Sequence, residues 1–283
     1  MVRISVCGVK KIILIIQTLG YAFKRKVKQM PELKITLNPQ GVMAPALRAM
    51  QNTCELMAIC LTALDSTDLE NPPQIPGSFF SWTFTGDHRS AAEKKSAYTN
   101  WLLSKGFHDL AIGIRRSLEE AFLYIEVCKL RGEKVPEGGI DELFIQIRRR
   151  ANQINFPDLL ASVNAELHEP MQFEEEFLSL QKVRNCLEHR DGIVSHLDVN
   201  DGNQSLRLIL PKLKVYTEID GREIDLHSNM RIEKEQEIVI ERGRRERIFP
   251  LQTPVIFSGA EFEEIASACW FFGSDLVGKL PKL

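Results

Sequence analysis

The apolar residues of this chain change their spacing twice, and that change most limits what it can fold into. From Val42 to Arg190 they recur at three- and four-residue intervals, the repeat of amphipathic helices. From 193 to 258 they alternate, the repeat of half-buried strands, and from about Ala260 to Val277 the helical spacing returns. The simplest architecture is a mainly α, overall α+β fold: a helical bundle whose last helix comes back after a β-rich excursion. The corresponding division is an N-terminal extension over 1–41, a helical bundle over 42–192, a β-rich insert over 193–258 and a returning helix over 259–283.

Within this frame the spacing predicts a helix over Val42–Leu64 and a loop over 65–89, punctuated by Pro72, Pro73, Pro76, Gly77 and Gly86. An aromatic patch at 79–84 in that loop reads as a short strand or a lid, with packing onto the bundle the plainer expectation. A long helix is expected from Ser90 to Arg131, interrupted at Gly106, with Phe107, Leu110, Ile114, Leu118, Phe122 and Ile125 on its core stripe and His108, Arg115, Glu119 and Glu126 on a polar face. Helices near Ile140, after Pro157 and over Phe173–Arg190 follow, the last ended by Asp191-Gly192. Strands are expected in GIVSHLDV, SLRLILPKLKVYTEI, EIVIER and RIFPLQTPVIF, separated by turns at DGN, DGR and RGRRER, and a short one in ELKITLNPQ.

Composition narrows the function classes. With 44% hydrophobic and 26% charged residues in 283, the chain is of ordinary globular type. A formal net charge of −2 leaves no global positive field to draw in nucleic acid, so any RNA contact falls to local basic clusters. The cysteines Cys7, Cys54, Cys60, Cys128, Cys186 and Cys269 form no CxxC pair and no disulfide-like framework; they read as free thiols of a reducing, cytoplasmic protein. Near the N-terminus, IILIIQTLGYAF between Lys10-Lys11 and KRKVK has the outline of a signal or anchor. Its apolar run is far shorter than the roughly 20 residues of a membrane span, and a peripheral extension with no membrane contact is the expectation.

The chemistry-bearing stretch is Gln181-Lys182-Val183-Arg184-Asn185-Cys186-Leu187-Glu188-His189-Arg190. Arg184 falls within the angular range of the stripe Phe173, Phe177, Leu180, Val183 and Leu187, so its guanidinium needs a partner. The plain reading pairs it with Glu188 at i,i+4 and leaves His189 at the helix end, near the negative pole. Asn185, four residues before His189 on the other side, is placed to orient the imidazole.

Arg184-Asn185-x-x-x-His189, late in an amphipathic helix of a helical bundle, resembles the R-x4–6-H signature of the HEPN superfamily, in which a polar residue commonly follows the Arg. The resemblance covers this motif and the helical organisation of 42–192; the region 193–258 is no part of the family's minimal bundle. It implies a metal-independent endoribonuclease of the kind found in toxin–antitoxin, CRISPR and phage-defence systems, needing no cofactor. It also implies a homodimer that brings two motifs into one cleft, with an antitoxin or regulatory partner. Arg184 and His189 would be the chemical residues and Asn185 the orienter. Other members keep the fold without activity, so a non-catalytic module binding nucleotide, RNA or protein is the alternative.

Physical chemistry accounts for such a motif. Cleavage through the 2′-hydroxyl needs a proton removed, charge on the phosphate stabilised, and a proton returned to the leaving oxygen. A histidine moves protons near neutral pH, and an arginine presents planar donors to phosphate oxygens. Arg184 and His189 project about 140° apart on a regular helix, so one motif aims poorly at a single phosphate and a two-fold dimer supplies the missing groups. Glu119 is a candidate support for Arg184. Arg148, Arg149, Arg150, Arg244 and Arg245 are candidate backbone contacts for RNA, although solvated charge is the plainer reading of each. No metal is expected: His88, His108, His168, His196 and His227 lack ligand spacing, and no phosphate-binding or nucleophile-elbow motif is present.

Overall fold

The computed structural model describes residues 37–74, 76–77, 88–130, 139–219, 222–226 and 237–282. Six helices precede and follow a small antiparallel sheet: α1 (Gln40–Ser66), α2 (Ala91–Lys129), α3 (Gly139–Gln153), α4 (Phe156–Asn164), α5 (Glu174–His189), β1 (Ser205–Ile219), β2 (Arg222–Asp225), β3 (Ile238–Pro250) and α6 (Gly259–Lys279). Of the described residues, 59% are helical. The described residues divide into two compact units, the larger formed by 38–213 with 242–282 and the smaller by the described part of 214–241.

The larger unit is the helical body. Its longest helix, α2, begins on a capping box in which Ser90 accepts from the Glu93 amide while the Glu93 carboxylate accepts from the Ser90 amide. Ser258 and Glu261 repeat that device at α6, and Asn155 caps α4 with Pro157 in its first turn. The expected interruption at Gly106 does not occur: α2 runs through it unbroken. The glycine instead lets helices approach, since a Cβ there would meet the Phe262 ring at 2.6 Å. Gly113 does the same for α1, where a methyl group would fall on the Ala49 Cβ. Ser117 accepts the Ala46 amide at 3.1 Å close to that crossing.

Phe107, Phe177, Phe262 and Phe272 are fully buried and anchor the core. Phe107 stacks obliquely on Phe257 and edge-on to Phe262, at centroid distances of 4.7 and 5.2 Å; Phe177 meets Phe272 at 4.7 Å. Helix α6 therefore supplies core residues that pack on α2 and α5.

The sheet has the order β2-β1-β3. In the smaller unit β2 pairs antiparallel with the end of β1, from Tyr216↔Asp225 to Ile219↔Arg222, and the Thr217 hydroxyl donates to the Glu237 carbonyl at 3.0 Å. Several sequence expectations fail here: EIVIER and the start of RIFPLQTPVIF form one strand, β3, which ends at Pro250. GIVSHLDV is not a strand: only Ile193 bridges to Pro254, and the chain then turns because Asp198 folds back onto Ser195 and Arg190. RGRRER is not a turn but the middle of β3, where its charges meet partners on neighbouring elements. The described end of ELKITLNPQ is likewise no strand, because Asn38 turns it into α1 by accepting the Gln40 amide. The apolar segment before residue 30 and the aromatic patch at 79–84 lie outside the described residues.

Candidate functional site

Helix α5 carries the site at its C-terminal end. Its apolar residues Phe177, Leu180, Val183, Cys186 and Leu187 are buried against the bundle, which fixes the rotation of the helix. The exit is built just as firmly. Asp191 and Gly192 take positive φ values of 51° and 73°, and the amides of Arg190 and Gly192 both donate to the Cys186 carbonyl. Arg190 then grips Asp198 with two nitrogens, Nε to Oδ2 at 2.6 Å, while the Ser195 amide and hydroxyl donate to the same carboxylate. Burial pushes the Asp198 carboxyl up, but the Arg190 and Ser195 hydrogen bonds outweigh it and hold it below the usual carboxylate value. Cys186, fully buried beside this pair, has its thiol pushed up to about 11, chiefly by desolvation and then by the Asp198 charge. It stays protonated at neutral pH and is no nucleophile.

On this platform Arg184 is about three-quarters buried, its guanidinium 2.5 Å from Glu188 Oε2. A second nitrogen donates to Asn185 Oδ1 at 3.2 Å, an oxygen that Gln181 also approaches, at 3.4 Å. The core-facing angle thus brings the partner that the cost of an unpaired charge demands. Glu188 does not stop there. Its other oxygen, Oε1, is in contact with Nδ1 of His108, which reaches it from α2. Arg184, Glu188 and His108 make one chain across two helices, with side chains 26, 18 and 25% exposed.

Sequence-predicted residues divide accordingly. Arg184 and Asn185 are brought together, but Asn185 holds the arginine and not the imidazole. His189, the last residue of α5, is exposed and makes no hydrogen bond or ion pair among the described residues. Glu119 pairs with Arg115 at 2.9 Å, and Arg115 also donates to the carbonyls of Asn152 and Ile154; the carboxylate on Arg184 is Glu188. Sequence reasoning placed His108 on the polar face of α2 without connecting it to α5. No local signal links positions 80 residues apart.

Most of the candidate RNA-contacting arginines are neutralised within the fold. Arg148 bonds to Glu120 through two nitrogens, and Arg150 pairs with Glu126 while lying 5.5 Å over the Phe122 ring. Arg244 meets Glu175 at 2.9 Å and Glu176 at 2.8 Å, and Arg245 meets Glu264 at 2.8 Å. Arg149 is exposed, with no carboxylate partner among the described residues. A cleft of about 750 Å³ lined by Phe173, Glu174, Glu176, Arg242 and Arg244 lies at the opposite, N-terminal end of α5. Its nearest lining residue on α5, Leu178, is about 9 Å along the axis from Arg184, at about 1.5 Å per residue. The cleft is not where the motif sits. No group of three or more metal-ligating side chains occurs among the described residues.

No family model, curated protein or solved structure matches this chain. The functional reading therefore rests on the site itself.

Proposed function

We propose that the protein is a metal-independent endoribonuclease of HEPN type, acting as a homodimer through Arg184 and His189. One observation carries the reading: the helix end is firmly terminated and presents a braced guanidinium and, just over one turn further, an exposed imidazole. Arg184 binds the scissile phosphate and stabilises the charge that builds on it. His189 moves the proton. The two side chains diverge on α5, and the second copy brings the missing group to each phosphate. A toxin or phage-defence role, with an antitoxin or regulatory partner, follows from the family resemblance alone.

A second reading has an observation of its own. The Glu188 contact already neutralises Arg184, and nothing among the described residues orients His189, as suits a non-catalytic module that binds nucleotide, RNA or protein. Wild type and Arg184→Ala, mixed with labelled structured RNA, separate the two when cutting and retention are measured independently. The ribonuclease reading expects wild type to cut and Arg184→Ala not to cut. Wild type that retains RNA and never cuts it favours the binding module.

A further inference from the structure

We infer that His108 is a second catalytic imidazole of this site, acting through Nε2 as the base for the attacking 2′-hydroxyl; the inference rests on the ribonuclease reading above. His189 and Arg184 point about 140° apart on α5. His108 and Arg184, by contrast, are held on the two oxygens of one carboxylate, Glu188 Oε1 and Oε2. A phosphate bound by Arg184 therefore lies on the side of the helix that α2 supplies with an imidazole.

The ring is also prepared for the task. His108 Nδ1 is buried and touches Glu188 Oε1 without completing a hydrogen bond to it, while the side chain as a whole keeps a quarter of its surface exposed. Nε2 has no partner among the described residues. Contact with a carboxylate oxygen is attractive only when Nδ1 carries the proton, and that tautomer leaves the lone pair on Nε2. The neighbouring Phe107 and Leu110 are fully buried, so this stretch of α2 is fixed in place. His189 has no such carboxylate, and its exposed ring suits delivery of a proton better than its directed removal.

The step balances without any further reagent. Nε2 of His108 takes the 2′-hydroxyl proton as O2′ bonds to phosphorus. The bond from phosphorus to the 5′-oxygen breaks, and protonated His189 gives that oxygen a proton. Arg184 holds the non-bridging oxygens. The ends are a 2′,3′-cyclic phosphate and a 5′-hydroxyl.

The test is single-turnover cleavage in EDTA of two oligoribonucleotides, one ordinary and one with sulfur in place of the bridging 5′-oxygen, whose thiolate leaves without protonation. His108→Asn places an amide nitrogen where Nδ1 stood, keeps Glu188 partnered and removes Nε2. We expect it to slow the ordinary linkage by about 10²–10⁴-fold at an unchanged melting temperature. The sulfur linkage should restore His189→Ala and leave His108→Asn slow. If His108→Asn loses its folded circular-dichroism signal, His108→Gln replaces it with the same expectation. Near wild-type cleavage by the folded variant, or its rescue by sulfur, overturns the base role while leaving the ribonuclease reading intact. Wild type that cuts neither linkage overturns both.

Discussion

At the scale of single residues the site separates groups that hold the fold from groups free to do chemistry. Arg190 and Asp198 belong to the first kind. The Asp198 side chain is only 2% exposed and accepts from Arg190 and Ser195. Asp198→Asn should cost roughly 3 kcal/mol, the low end for breaking a buried pair because Arg190 keeps a fifth of its side chain in water. Thermal unfolding checks it, and an unchanged melting temperature would contradict it. The pH dependence has a definite sign. With its folded value depressed, Asp198 stabilises the protein fully above its unfolded value of about 3.9, and the contribution fades as pH falls through the lower folded value. Unfolding followed from pH 6 to pH 2 should therefore show a steeper loss in wild type than in Asp198→Asn. Arg184 belongs partly to both kinds. Arg184→Lys should keep much of the stability through an ammonium–Glu188 contact, yet fail to restore cleavage, because an ammonium lacks the two-point planar geometry that phosphate needs.

At the scale of elements, close helix packing is set by small residues. Gly113→Ala should destabilise by about 1–3 kcal/mol although alanine is the better helix former, because its methyl group has no room beside Ala49. Gly278→Ala, in α6 with nothing within 4 Å, should instead be neutral or stabilise by up to about 1 kcal/mol. Denaturant titration of the two variants checks the contrast, and stabilisation by both would contradict the packing account. The same contrast shows what was legible beforehand. Apolar periodicity located all six helices, because burying one stripe is a local demand written in each segment. It misplaced the role of Gly106, since a glycine that breaks a helix and one that admits a phenylalanine look alike until the neighbour is known. It read RGRRER as a turn because four arginines in six residues look solvated. Their carboxylate partners, Glu175, Glu176, Glu261 and Glu264 among them, lie on α5 and α6. Within the site, Arg184 and its i,i+4 partner were legible; His108 was not, because its meeting with Glu188 depends on how α2 packs against α5.

At the scale of the whole molecule, no helix among the described residues is long and apolar enough to cross a membrane. The proposed dimer makes its own demand. Leu197, 85% exposed shortly after His189, and Trp101, 60% exposed on α2 next to the Asn100 that approaches Gly192, are large apolar side chains left on the surface. If two copies meet there, light scattering at micromolar concentration should give a dimer mass for wild type. Leu197→Glu should shift it toward monomer and lower cleavage in step. A wild-type monomer would count directly against two motifs sharing a cleft.

The central claim, that Arg184 and His189 cut RNA without metal, is tested most directly by end-group analysis of RNA incubated with wild type or His189→Ala in EDTA. The account predicts cleavage by wild type that leaves 2′,3′-cyclic phosphate ends. His189→Ala should be slower by about 10²–10⁴-fold at nearly the same melting temperature, since the lost side chain is exposed and unpartnered. Cleavage that stops in EDTA, or that continues at full rate in His189→Ala, would contradict it.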